Sequence, residues 1–156
     1  MLVAAALVGV FAVIALWNAF TYPPVGGYDA AEHIAYARSL VENGEIPHRT
    51  GTYYTPPLWY ALAGSAIQLG EAVGMEEPER LGQALNALLV TITAVLVLAL
   101  ARVLFPGRPF LAVAALAFFV ACPLTLRMAT MFHPQALVLL LSTAGLLLVA
   151  RMVATP

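Results

Sequence analysis

The chain has 156 residues, 62% of them apolar and 10% charged, with a formal net charge of −1 and no lysine. Soluble domains carry roughly 25% charged residues, so this composition excludes an ordinary soluble globule and offers no basic patch for nucleic acid. It identifies an all-α integral membrane protein. The single cysteine, Cys122, lies in an apolar run, permits no intrachain disulfide and gives no redox signal.

Residues 1–22 form the first span: Leu2 to Trp17 is unbroken apolar sequence with one glycine, and twenty helical residues cover about 30 Å. Trp17, Phe20 and Tyr22 cluster at one end like an interfacial aromatic belt. A cleaved signal peptide is the rival reading. The missing basic n-region and the lack of a small-x-small site before Pro23-Pro24 favour a retained span.

Residues 28–80 make an outer loop. Pro23-Pro24-Val-Gly-Gly27 breaks the first helix, and a second is expected from Asp29 to about Glu42, with Asp29 at its N-cap or first turn. Asn43-Gly44 suits its C-cap and Pro47 its stop. Ile34, Ala37, Leu40 and Val41 give it one apolar face, so it is expected to lie along the membrane surface. Residues 48–55 read as a loop carrying Tyr53-Tyr54. Pro56-Pro57 opens a stretch over 58–73 whose cleanly apolar part is about a dozen residues, which suits an interfacial or re-entrant segment. Its Gly70-x-x-x-Gly74 spacing matches a close-packing motif.

Glu76-Glu77-Pro78-Glu79-Arg80 is a polar hinge. Residues 81–104 are the clearest span, about 36 Å of helix. Phe105-Pro-Gly-Arg-Pro109 is a tight turn, 110–126 the next span with Pro123 near its end, 127–134 a turn, and 135–151 a return across the membrane. The total is about four transmembrane helices plus one or two juxtamembrane amphipathic helices. If 58–73 does not cross, Arg102, Arg108 and Arg151 fall on the inner side, which the positive-inside rule favours. Residues 28–80 are then extracytoplasmic on a multi-pass protein of the cell membrane. The abrupt end at Pro156 suggests a piece of something larger.

Asp29, Glu32 and His33 stand at i, i+3 and i+4, so one helix face presents all three. Three readings stay open: a carboxylate general base, a divalent metal chelated by Asp29 and His33, or plain helix-start charge on a solvated face. His48 and Arg49 are within reach of that face from the next loop. Tyr53, Tyr54, Trp59 and Tyr60 suit sugar stacking or, by default, interfacial anchoring. Arg80 and Arg127, at the outer ends of two spans, have guanidinium forks that match a lipid phosphate, or they snorkel. His133, before Pro134, reads as structural. No Gly-rich phosphate loop or Cys/His zinc pattern is present.

The order of elements resembles the amino-terminal part of a GT-C-type membrane glycosyltransferase, the superfamily of bacterial relatives of protein O-mannosyltransferases and of lipid A aminoarabinose transferases. The resemblance rests on Tyr28-Asp29-Ala-Ala-Glu32-His33-Ile-Ala-Tyr36, then Gly44-Glu-Ile-Pro47, then Tyr53-Tyr-Thr-Pro56-Pro57-Leu58-Trp59-Tyr60, and the Arg80-Leu-x-x-x-Leu-Asn86 entry into a span. It implies a sugar donor on a polyprenyl phosphate, an acceptor hydroxyl activated by Asp29, and a second acid in Glu32. Many relatives have adjacent Asp-Glu, whereas here Ala30 follows Asp29. A glutamine or histidine is common where Thr55 stands.

The expected partners are therefore a lipid-linked sugar donor, membrane lipids and the remainder of the enzyme or other subunits, with a divalent metal ion as an open cofactor. This stretch alone is expected to be inactive. The alternative from another class is a non-catalytic membrane protein that binds a lipid-linked sugar or scaffolds a partner.

Overall fold

The computed structural model describes residues 2–47, 51–52 and 54–154. Among them the protein is all-helical: α1 (Leu2–Thr21), one 3-10 turn (Pro24–Gly26), α2 (Ala30–Asn43), α3 (Leu58–Ala72), α4 (Glu79–Leu104), α5 (Pro109–Ala121), α6 (Pro123–Thr130) and α7 (Gln135–Ala154). Helices α1, α4 and α7, of 20, 26 and 20 residues, are long and apolar enough to cross a membrane. Their outward side chains, including Val13, Trp17, Leu88, Val138 and Leu146, are exposed leucine, valine and tryptophan rather than charge, as expected of a lipid-facing surface.

The stretch expected as the next span is broken. Helices α5 and α6 meet at 59° around Cys122-Pro123 and count as one crossing only if the bent pair is taken together. Cys122 adopts an extended conformation (φ −69°, ψ 121°), the consequence of preceding a proline whose ring disfavours the helical region there. The expected continuous helix over 110–126 therefore ends at Ala121, and residues 127–130, expected as turn, complete the short helix α6.

Helix α4 is the hub and packs against α1, α3, α5, α6 and α7. At one end of the bundle Ala4 of α1 packs with Leu98 and Ala101 of α4 and Ala112 of α5. The C-terminal parts of α4 and α7 meet there as well, across a groove lined by Leu100, Val103, Val149 and Val153. Arg102, Arg108 and Arg151 thus share that end. The opposite end carries α2, α3 and α6, together with a larger core that includes Ala19, Tyr36, Trp59, Tyr60, Val90 and Phe132.

Helix α3 is 15 residues long, about 22 Å, and lies along the first turns of α4. Trp59 bonds Asn86, and Gly70 closes on Pro78, whose Cα would sit 2.9 Å from a Cβ at Gly70. The Gly70/Gly74 spacing is therefore not a helix-pairing motif: Gly74 stands at φ +75° with open space around it and ends the helix. Close approach happens at two other glycines. A Cβ at Gly64 would lie 2.5 Å from the Ala37 carbonyl of α2, and one at Gly82 would overlap the Phe132 ring.

Those approaches bury the aromatics expected at the interface. Trp59 is 2% and Tyr60 0% exposed; the Tyr36 and Tyr60 rings stack at 3.8 Å. Helix α2 keeps its expected amphipathic character, but its apolar face is pressed on α3 through Ile34, Tyr36 and Ala37. Arg38, at its edge, ties three helices together through Glu71 (2.6 Å) and Glu79 (2.7 Å). The Glu79 and Glu71 carboxylates hold its guanidinium protonated more firmly than usual, against burial that works the other way.

Candidate functional site

Asp29, the chain's one aspartate, takes the N-cap position of α2 yet does not cap it. Its backbone is left-handed (φ 51°, ψ 19°), and its side chain makes no hydrogen bond to the helix amides. Among the described residues it is the one non-glycine with positive φ, a region that aspartate tolerates better than most residues at some cost in strain. The preceding turn is closed by Ala30 N–H bonding Gly27 C=O at 3.3 Å. The exposed carboxylate is thereby turned off the helix end and lines a cavity of about 440 Å³.

That cavity lies between the α2–α3 pair and the start of α7. His33, Thr52, Tyr54, Trp59 and His133 supply its polar and aromatic side, and Leu58, Leu137, Val138 and Leu141 its apolar side. Leu58, Val138 and Leu141 are each more than half exposed on the lipid-facing surface, so the hollow joins a polar recess to the hydrocarbon flank.

His33 is 4% exposed. Its Nδ1 lies 2.8 Å from the Tyr60 hydroxyl. That hydroxyl donates to Thr55 Oγ1 at 3.1 Å, and Thr55 Oγ1 donates to the Thr52 carbonyl. The phenol proton is thus committed to Thr55, so Tyr60 accepts from His33 Nδ1–H. His33 Nε2 is then an unprotonated acceptor, buried and without a partner. Burial, then the neighbouring His133, lowers the His33 pKa to about 4, so at neutral pH it is uncharged.

His133 stands with its ring centroid 4.5 Å from that of His33, edge to face. Its Nδ1 accepts the Gln135 backbone N–H at 3.3 Å, which leaves its proton on Nε2. Burial lowers its pKa, and the negative charge of Asp29 opposes that shift. Read as structural from sequence, His133 belongs to the cavity wall. It reaches the wall through Asn86, fully buried on α4, whose amide donates to the Met131 and His133 carbonyls at 2.7 and 2.8 Å. The Asn86 Oδ1 accepts the Trp59 indole N–H at 2.8 Å. One turn earlier Gln83 donates to the Thr130 and Tyr22 carbonyls at 2.7 and 3.2 Å, fastening α6 and the end of α1 to the same helix.

The expected single face of Asp29, Glu32 and His33 is divided. The left-handed turn takes Asp29 off the helix and His33 points into the core. Glu32, exposed, lies over Gly51, where a Cβ would be 2.7 Å from its Oε2, and it is not among the cavity's lining residues. Tyr54 stands at the rim, 76% exposed.

Arg80 is bound to Glu77, Nε to Oε2 at 2.8 Å, with its Nη1 buried and unpartnered. Arg127 is exposed, its Nε 3.3 Å from Met131 Sδ. Neither arginine lines the Asp29 cavity. His48, Arg49 and Tyr53, expected as substrate contacts, lie outside the described residues. Among the described residues no group of three or more His, Cys, Asp or Glu side chains is placed to hold a metal ion, so Asp29 and His33 stand without a third ligand of that kind.

Comparison with known proteins adds no relative: no family model, curated protein or solved structure matches this chain.

Proposed function

We propose that the chain is a GT-C-type glycosyltransferase module that moves a sugar from a polyprenyl-phosphate donor to an acceptor hydroxyl at the outer face of the membrane. The observation that carries this is Asp29: a solvent-accessible carboxylate on a strained backbone, excused from capping its helix and turned onto a cavity that opens to the lipid flank. A carboxylate held this way suits a general base, because its lone pairs are not spent on helix amides. Arg102, Arg108 and Arg151 share the far end of the bundle while Arg38, Arg80 and Arg127 stand at the cavity end, so the outer placement of the cavity rests on the resemblance and not on charge.

In this reading Asp29 takes the proton of the acceptor hydroxyl as its oxygen attacks the anomeric carbon. The bond from that carbon to the phosphate oxygen breaks, and the electron pair leaves with the polyprenyl phosphate. Configuration inverts. Glu32, over Gly51 and away from the cavity, takes no part in proton transfer.

The second reading is a membrane protein that binds a lipid-linked sugar without turning it over, and one observation weighs against turnover. No described arginine lines the cavity, so a departing phosphate finds no described cation there. The two readings separate in one assay. Membranes containing the intact protein are supplied with a radiolabelled polyprenyl-phosphate sugar, and released polyprenyl phosphate is followed. Catalysis predicts release coupled to labelled acceptor. Saturable retention of the donor without release supports the binding protein and refutes the enzyme.

A further inference from the structure

Buried polar atoms in proteins are almost always partnered, and one left alone in a cavity wall calls for an explanation. Two such atoms belong to residues of the Asp29 cavity wall: His33 Nε2 and Thr52 Oγ1. We propose that the cavity binds the uncharged, hydroxyl-bearing headgroup of a membrane amphiphile, with His33 Nε2 accepting, and Thr52 Oγ1 exchanging, hydrogen bonds with its hydroxyls. This deepens the reading of Asp29 as base, on which it rests for the identity of the cavity as the acceptor side.

The chemistry of the headgroup follows from the proton inventory. The chain from His33 through Tyr60 and Thr55 to the Thr52 carbonyl runs one way and ends on an acceptor that has no proton to return. It fixes His33 in the tautomer with a bare Nε2, so His33 accepts here and does not donate, while the Thr52 hydroxyl can do either. His133, with its proton on Nε2, supplies a donor from the facing element. A hydroxyl donates and accepts at once and so satisfies both.

A phosphate is anionic at neutral pH and chiefly accepts. It would meet the His33 lone pair and the Asp29 charge, and the described lining offers no arginine to offset them. Among the described residues the titratable groups that face His33 are Tyr60 from α3, His133 from the α6–α7 turn and Asp29 ahead of α2, and none of these brings a permanent positive charge. The tail follows from the opposite wall: Leu58, Val138 and Leu141 continue onto the lipid-facing flank, giving an alkyl chain a path out of the recess and into the bilayer.

The test uses the 156-residue chain in nanodiscs with Trp17→Phe, which leaves Trp59 of the cavity wall as the only tryptophan of these residues. The probes are decyl β-D-glucoside, decyl phosphate and methyl β-D-glucoside. The glucoside with the tail is expected to change Trp59 fluorescence saturably, at least about tenfold more tightly than either other probe. Nitrogen-15 spectra of labelled histidine are expected to show His33 unprotonated at Nε2 and to shift at that nitrogen when decyl glucoside binds.

Tyr60→Phe keeps the stacked ring but removes the oxygen that holds the Nδ1 proton. It is expected to weaken glucoside binding about five- to tenfold, the effect of one hydrogen bond, with decyl phosphate unaffected. A protonated Nε2 in the free protein, decyl phosphate binding as tightly as the glucoside, or methyl glucoside matching the decyl form would each overturn the proposal. None of these readouts needs turnover, so their failure is separable from failure of the glycosyltransferase reading.

Discussion

Replacing Asn86 by leucine tests how the cavity is assembled, because that one amide joins three elements. Its carbonyl holds the Trp59 indole of α3, and its NH₂ holds the Met131 and His133 carbonyls between α6 and α7. Leucine has the same number of side-chain heavy atoms and a similar branched shape, so no cavity opens; its bulkier methyls add some crowding, and the larger cost falls on polar groups. One indole N–H and two main-chain carbonyls lose their partner around a side chain that is 0% exposed. Each unpaired buried group costs about 1–3 kcal/mol. Allowing for the partly exposed surroundings of the His133 carbonyl, the sum is about 3–5 kcal/mol, a large share of the 5–15 kcal/mol typical of a folded domain.

The assay is equilibrium unfolding in detergent with Trp17→Phe as background, read by Trp59 emission, with Leu88→Ala on the lipid-facing side of α4 as control. Asn86→Leu is expected to lower stability by that amount and to shift Trp59 emission in the folded state as His133 and Phe132 loosen. Asn86→Asp, which turns a carboxylate onto two carbonyl oxygens, is expected to be at least as damaging. If Asn86→Leu falls within about 1 kcal/mol of the Leu88→Ala control, the hub argument is wrong.

Two further predictions concern packing and pH. Gly64→Ala sets a methyl 2.5 Å from the Ala37 carbonyl, so α2 must lift from α3 at about 1–3 kcal/mol. Hydrogen exchange in α2 is expected to rise, while Gly9→Ala, with open space around it, leaves exchange unchanged or slower. The His33 pKa is depressed from 6.5 to about 4, so below pH 6.5 the unfolded chain binds a proton that the folded chain refuses. Stability is therefore complete above about pH 6.5 and falls as pH drops toward 4, by up to about 3 kcal/mol. His33→Gln is expected to flatten this part of the pH–stability curve; an unchanged curve would count against a buried neutral His33.

The spans were legible because unbroken apolar runs of twenty residues have few alternatives to crossing a bilayer. The break at Pro123 was visible as a residue but not as an angle. Its effect depends on Cys122 going extended so that α6 can pack under α4, which no local pattern records. Around the site, Asp29 could be located from its place after a span and a Gly-Gly turn. Helical spacing then misled, since it assumed Asp29 was on the helix with Glu32 and His33, whereas the left-handed turn detaches it.

His133 was read as structural because its partner in the cavity wall is 100 residues away. The signal that could have found it is Asn86, together with Gln83: two amides in the first turns of an otherwise apolar span need partners, and the polar backbone of a Pro-flanked turn is where such partners are found. Trp59 and Tyr60 were expected at the interface for the same local reason. Gly64 permits the α2–α3 approach that buries them, and glycine spacing alone pointed to Gly70 and Gly74 instead.

The central claim is that Asp29, and not Glu32, carries the chemistry, and it is tested most directly by comparing Asp29→Asn with Glu32→Gln for sugar transfer from a polyprenyl-phosphate donor in membranes. Asparagine tolerates the left-handed backbone at position 29, so Asp29→Asn is expected to leave expression and stability intact. Transfer should fall about 10²–10⁴-fold, the range for loss of a general base, while Glu32→Gln stays within about twofold of the parent. Equal transfer by Asp29→Asn and the parent, or a larger loss in Glu32→Gln, would contradict the account.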